Sequence, residues 1–277
     1  MTHLLLIKCP DERGLVYRIT GVLFGLGLNI VRNGEFVERD GDVFFMRTEF
    51  AGEFEAEVLL AQLRAVLAPA AEVRLTDNRR KNLVLLATKE HHCLSELLVR
   101  HAFGELNANI LAVISNHEVL GELTRKFDLP FHCLPHEGRS RAQHEAEIMA
   151  QLAAYAPDFV VLAKYMRILS PDFVAPYANR LINIHHSFLP AFVGASPYAQ
   201  AYARGVKIIG ATAHFVNEQL DQGPIIAQSV IPIDHTQSAR EMAQAGRDGE
   251  KIVLARALKL VLDEQVFVHG NKTIIFD

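Results

Sequence analysis

Asn183 and His185 stand two residues apart in the segment Asn183-Ile184-His185-His186-Ser187-Phe188-Leu189-Pro190. On a strand, a period of two sends Asn183 and His185 to one face and His186 to the other. An amide N–H₂ can donate to a developing oxyanion, and an imidazole can carry a proton near neutral pH. Further along, Leu220-Asp221-Gln222-Gly223-Pro224 sets a lone carboxylate in a loop shaped by glycine and proline. Beside a histidine such an aspartate raises the imidazole pKa and fixes its tautomer, or acts directly as a base toward water. Asn-x-His by itself is a weak signal that more often marks a strand histidine satisfying backbone groups, so the surrounding elements have to decide.

From residue 82 onward, short apolar runs alternate with amphipathic stretches. Residues 83–88, 110–115, 131–134, 159–163 and 181–185 read as strands, and 94–103, 119–127, 141–155 and 171–177 as helices. This alternation predicts a Rossmann-like, mostly parallel α/β sheet whose ligands sit at the carboxyl ends of its strands. Residues 208–216 and 225–233 read as an added pair of strands, and about 238–262 as a long amphipathic helix. Earlier in the chain the order is strand, helix, strand, strand, helix, strand. It comprises residues 4–8, a helix from Leu15 closed at Gly27, 29–39 and 43–50 around Asp40-Gly41-Asp42, 54–67 and 71–76. That βαββαβ order is a ferredoxin-like sandwich. The polar stretch from Asp77 to Asn82 reads as a linker, so the expected domains are residues 1–78 and 79–277.

Composition limits the partners. The 277 residues carry 28 Lys and Arg against 32 Asp and Glu, and a net charge of −4 argues against coating nucleic acid or acidic lipid. Unbroken apolar runs reach five residues, as at 83–87, against about 20 for a membrane span. No basic region precedes the short apolar run at residues 4–7, so no signal peptide is expected. Cys9, Cys93 and Cys133 form an odd set without Cys-x-x-Cys, which predicts free thiols in a reducing, cytoplasmic compartment. His91-His92-Cys93 and His132-Cys133-x-x-His136 invite a metal, but neither has a convincing second pair of ligands, and no metal is expected.

Longer strings carry a resemblance. Residues 183–190, Phe192-Val193-Gly194-Ala195-Ser196-Pro197-Tyr198, residues 205–215 and 220–226, together with Ala163-Lys164-Tyr165-Met166-Arg167-Ile168-Leu169, resemble the folate-dependent formyltransferase family. The resemblance covers most of residues 82–277. It implies that Asn183, His185 and Asp221 carry formyl chemistry, with His214 in support. It implies that Met166, Arg167, Ile168 and Leu169 wrap the pterin of a folate that is substrate rather than cofactor, and that no cofactor is needed. Phosphate-binding relatives in this family have a Gly/Ser/Asn-rich loop after the first strand. Here the place reads Ala87-Thr88-Lys89-Glu90-His91-His92-Cys93-Leu94, whose side chains oppose close backbone approach to a phosphate. Transfer-RNA-directed relatives add a C-terminal nucleic-acid-binding barrel, and this chain stops soon after its long helix.

Near the start, Asp11-Glu12-Arg13-Gly14-Leu15, a helix and then Gly27-Leu28-Asn29-Ile30 resemble the ACT family of small-molecule sensors. That resemblance implies an amino-acid effector near Asp11, Gly14, Leu15 and Asn29, bound where two such domains pair, and hence a homo-oligomer. Gly14 suits a helix N-terminus whose free N–H groups can hold a carboxylate. The competing reading is a domain that only assembles subunits. The whole chain resembles the hydrolytic branch of the formyltransferase family, in which an ACT domain precedes the catalytic domain. That branch implies hydrolysis of 10-formyltetrahydrofolate to tetrahydrofolate and formate, supplying formate for purine synthesis. The alternative is formyl transfer to a small amine.

Overall fold

The computed structural model describes residues 2–76, 79–190 and 197–277. Two compact units emerge, Met1–Arg79 and Arg80–Ile275.

The first unit runs β1 (Thr2–Pro10), α1 (Leu15–Gly25), β2 (Asn29–Glu38), β3 (Val43–Ala51), α2 (Ala56–Val66) and β4 (Glu72–Thr76). Its antiparallel sheet has the order β2-β3-β1-β4, the expected βαββαβ sandwich. Alternate residues of β1, Leu5, Ile7 and Cys9, meet Leu15, Ile19 and Leu23 of α1 and Leu59 and Leu63 of α2 in one core. Gly14 precedes α1 in the left-handed region (φ +83°), and no side chain caps the helix. Gly27 (φ +71°) closes it, its N–H donating to the Phe24 carbonyl at 2.9 Å. The Asp40–Asp42 turn joins β2 to β3 as expected, while Asp77 and Asn78 of the expected linker lie outside the described residues.

The second unit contains β5 (Lys81–Ala87), α3 (His92–Ala102), β6 (Ala108–Ser115), α4 (Gly121–Arg125), β7 (Phe131–Cys133), α5 (Arg141–Tyr155), β8 (Phe159–Leu162), α6 (Pro171–Val174) and β9 (Leu181–His185). There follow α7 (Pro197–Arg204), β10 (Ile208–Phe215), β11 (Ile225–Pro232), α8 (Ala239–Leu262) and the hairpin β12 (Val266–His269) and β13 (Lys272–Ile275). The seven-stranded sheet is ordered β11-β10-β9-β8-β5-β6-β7. β9 through β7 are parallel, while β10 and β11 add antiparallel edges. Leu83, Leu85 and Ala87 of β5 pack with α3 and α8, and the intervening Val84 and Leu86 pack with α5 and Phe173. Helices therefore cover both faces, as near-continuous apolar strands require.

Four places depart from the expected pattern. The helix expected over 119–127 splits into a short 3₁₀ turn, Glu118–Leu120, and α4. The one expected over 171–177 gives way after Val174 to a 3₁₀ turn containing Pro176, which has no N–H to continue an α-helix. α7 and the hairpin β12–β13 are short elements that periodicity did not reveal. No helix among the described residues is long and apolar enough to cross a membrane.

Ile19 is fully buried in the core of the first unit. Ile19→Ala should lower the stability of this unit by about 2–5 kcal/mol. Denaturant unfolding followed by circular dichroism checks this, and a loss below about 0.5 kcal/mol, typical of a surface change, would contradict the packing described.

Candidate active site

Two antiparallel neighbours build the centre. β9 carries Asn183 and His185 on one face, and register pairs His214 of β10 with Asn183. After β10 the chain folds back so that the Phe215 N–H donates to the Pro224 carbonyl at 2.9 Å. Gly223 makes this possible, because a Cβ there would stand 1.8 Å from the Phe215 oxygen. Asp221, in the left-handed region at φ +55°, is thereby turned toward both imidazoles. Its Oδ2 lies 3.4 Å from His185 Nδ1 and its Oδ1 3.8 Å from His214 Nε2.

Hydrogen bonding fixes the protons. His214 Nδ1 donates to the Phe215 carbonyl at 2.8 Å, leaving Nε2 to accept from Asn183 Nδ2 at 3.3 Å. His214 is held below the usual imidazole range, chiefly by burial. Burial pushes the Asp221 carboxyl up, but the His185 hydrogen bond and the neighbouring imidazoles outweigh it, so its pKa falls below the ordinary value. With Nδ1 directed at Asp221, His185 is left with a buried Nε2 that has no hydrogen-bond partner among the described residues. A polar atom so placed is free to act on a bound substrate.

A cavity of about 480 Å³ opens at the carboxyl ends of β8 and β9. Met166, Arg167, Ile168 and Leu169 line it together with Asn183, His185, His214 and Asp221. The Met166 N–H donates to Thr88 Oγ1 at 2.9 Å, tying this segment to the end of β5. All eight residues expected from the sequence to handle a folate thus line one cavity. Of the string Phe192 to Tyr198 that carries part of the resemblance, Phe192 to Ser196 lie outside the described residues.

His186 departs from the strand-alternation argument. β9 ends at His185, and the His186 ring stacks on the His185 ring, centroids 4.9 Å apart and planes 19° from parallel. It also lines the cavity. Period two holds only while the strand continues, so the expected opposition of the two rings fails one residue past its end.

Sequence reasoning also missed a buried ionic cluster beside the cavity. Glu250 of α8 accepts from Tyr198 Oη at 2.7 Å and lies 2.7 Å from His92 Nε2 and 3.2 Å from Lys164 Nζ. Burial pushes the Glu250 carboxyl up, but these donors prevail and bring it to about 2. Lys164, itself buried, takes a left-handed backbone at φ +63°. No local pattern signals this convergence, since its members come from four separate segments.

Among the described residues, two groups offer metal-type ligands within 4.8 Å of one another, His92, Cys93 and Glu250, and His117, His136 and Glu137. In the first, the Lys164 ammonium already answers the carboxylate, and burial pushes the Cys93 thiol well above its ordinary range. In the first unit, Leu15 faces the core, Asp11 bonds the β2–β3 turn through its N–H, and Asn29 opens β2. A separate hollow there, lined by His3, Gly52, Glu53 and Phe54 among others, includes none of these residues.

Comparison with known proteins follows the same division. The formyl transferase family matches residues 81–258 and the ACT domain family residues 3–68. A formyltetrahydrofolate deformylase of Haemophilus influenzae is 52% identical over 272 residues, covering 98% of each chain. The crystal structure of a formyltetrahydrofolate deformylase from Pseudomonas syringae pv. tomato has a TM-score of 0.95 at 40% identity, covering all of this chain and 94% of that one. A glycinamide ribonucleotide transformylase from Symbiobacterium toebii has a TM-score of 0.69 at 28% identity, covering 73% of this chain and 97% of its own.

The buried cluster sets a stability test. Glu250→Ala should cost about 3–5 kcal/mol, because Lys164 is left buried without its counter-charge. The carboxyl pKa is depressed on folding, so its contribution is complete above about 4.5 and is lost as pH falls toward about 2. Denaturant midpoints of wild type and Glu250→Gln should therefore converge across that window, and a constant gap would contradict the pairing.

Proposed function

We infer, for a chain that belongs to the formyltetrahydrofolate deformylases, that it hydrolyses 10-formyltetrahydrofolate to tetrahydrofolate and formate. The observation that carries the reading is the approach of His185 and Asp221 at 3.4 Å in a cavity also lined by Asn183. In the proposed reaction, water adds to the formyl carbon while Asp221 orients it and takes its proton. Asn183 Nδ2 and protonated His185 Nε2 donate to the resulting oxyanion. A donor of this kind is worth about 3–4 kcal/mol of barrier. The carbon–N10 bond then breaks as N10 takes the proton held by Asp221, and the released acid gives up its own proton to water and leaves as formate. Met166, Arg167, Ile168 and Leu169 hold the pterin, and His214 keeps Asn183 turned toward the formyl oxygen.

Water rather than an amine is favoured as acceptor by the end of β5. Thr88 to His91 contain no glycine, and Glu90 there lies 3.4 Å from Arg247 Nε. No metal or other cofactor enters these steps. The chemistry and the free thiols Cys9, Cys93 and Cys133 fit a cytoplasmic protein.

Purified protein with 10-formyltetrahydrofolate alone should release formate at a rate unchanged by EDTA, whereas strict dependence on an added amine would sink the hydrolase reading. Asp221→Asn, His185→Ala and Asn183→Ala should each lower kcat by at least about 10²-fold with little change in KM.

For the ACT unit we propose an amino-acid effector at a subunit contact, with Asp11, Gly14, Leu15 and Asn29 around it. Support comes from the uncapped α1 N-terminus behind Gly14, whose N–H groups suit a carboxylate. Edge strand β2 and the exposed Tyr17 and Phe24 of α1 suit pairing with a second copy. Titration of amino acids, glycine and methionine first, should shift turnover or substrate affinity roughly 5–150-fold. If none changes activity or Tm, and removal of residues 1–80 only breaks the oligomer, the unit assembles subunits and senses nothing.

A further inference from the structure

His186 lies against His185 yet has no part in the reaction as derived. The two imidazoles are neighbours in sequence, nearly parallel, with centroids 4.9 Å apart. On the His185 side stands a carboxylate, Asp221, 3.4 Å from Nδ1. The His186 ring also meets Tyr198, centroids 6.4 Å apart at 44°. Tyr198 is in turn bonded to Glu250, which holds the buried Lys164 ammonium at 3.2 Å. Lys164 and His186 line the same cavity. Two touching imidazoles disfavour double protonation, so the surroundings must choose which ring takes the proton.

We propose that His186 is a positioning residue that holds the plane of the His185 ring, with the pinned Lys164 ammonium keeping the proton of the pair on His185. Without a flat neighbour the His185 ring could turn about its Cβ–Cγ bond and take Nε2 away from the formyl oxygen. A neutral aromatic face tolerates an imidazolium stacked on it, whereas a second imidazolium would repel it. The groups that act on His186 are Lys164 and His185, which oppose its protonation, and Glu250, Glu90 and Asp221, which favour it. Burial decides the balance with Lys164, and His186 is pushed down to about 4. Glu250 is therefore an anchor for Lys164 rather than a proton partner of His186.

The proposal rests on His185 being the proton-bearing group of the hydrolysis described above, and the tests keep the two apart. In the wild-type enzyme, histidine-ring NMR should show the His186 ring still neutral at about pH 6, where an ordinary imidazole is largely protonated. A His186 ring protonated there overturns the proposal. Lys164→Met should raise the His186 titration midpoint by about one unit, and Lys164→Arg should restore it. An unmoved midpoint in Lys164→Met also overturns the proposal. His186→Ala should lower kcat by at least about 10-fold with KM within about 2-fold, while His186→Phe, which keeps a flat neutral ring, should stay within about 3-fold of wild type. If both variants match wild type, or Phe is as damaging as Ala, His186 does not position His185. Should His186→Ala fail to fold, His186→Phe and the wild-type titration still decide. Activity that survives His185→Ala would sink the reaction assignment itself, whatever His186 does.

Discussion

A carboxylate withdrawn from water must have its charge answered, and the catalytic unit is arranged around that demand at Asp221. Burial alone would drive its proton back on, yet the hydrogen bond from His185 at 3.4 Å, with His214 standing 3.8 Å away on the other oxygen, keeps the carboxyl below its ordinary pKa. Those distances exist because β10 pairs antiparallel with β9, placing His214 opposite Asn183. They also require the chain to turn back tightly enough for Gly223 to touch the Phe215 carbonyl. A slip of one residue between β9 and β10 would send Asn183 and His185 to the opposite face of the sheet. The chemistry thus depends on sheet register and one close backbone approach more than on any single side-chain contact.

The second buried charge, Glu250, is answered differently. Stripping a carboxylate of water costs several kcal/mol, which only full hydrogen bonding and a close counter-charge offset. Glu250 receives both from Lys164, His92 and Tyr198. Seating the tyrosine takes a glycine inside α8, since a Cβ at Gly246 would stand 2.0 Å from its hydroxyl oxygen. A glycine within a helix costs about 1 kcal/mol relative to alanine. The helix gives up that much propensity so that its one fully buried carboxylate is bonded from several sides.

Much of this was legible in the sequence, and for identifiable reasons. The bounds of α5 and β9 match the expected 141–155 and 181–185 to the residue, because the apolar pattern of each is unbroken over its length. Asn183, His185 and Asp221 could be grouped because the Asn-x-His spacing and the resemblance point to the same strand end. Lys164, Glu250, His92 and Tyr198 could not, since convergence of four distant segments leaves no trace in local pattern. His186 was misjudged for a narrower reason. Alternation is a property of the pleat, and the pleat stops at His185. The short elements, α7 and the closing hairpin, are too brief for any period to emerge.

The likeness to a glycinamide ribonucleotide transformylase over 73% of the chain bears on how one scaffold could serve two acceptors. In the reaction proposed above, the groups that would act on the formyl carbonyl could serve water or an amine alike, so the discrimination has to come from the space beside them. In this chain the segment that leaves β5 is occupied by its own side chains. Glu90 lies 3.4 Å from Arg247 and 3.5 Å from His92 Nδ1, and His92 continues to Glu250 at 2.7 Å. A phosphate cradle needs bare backbone N–H groups and room to approach them. Here that region is filled by a web of paired side chains, Glu90 on Arg247 and Glu250 on Lys164 and His92, which opposes the close backbone approach a phosphate needs. Water asks for neither a cradle nor a counter-charge, and it is the acceptor that this end of the sheet leaves room for.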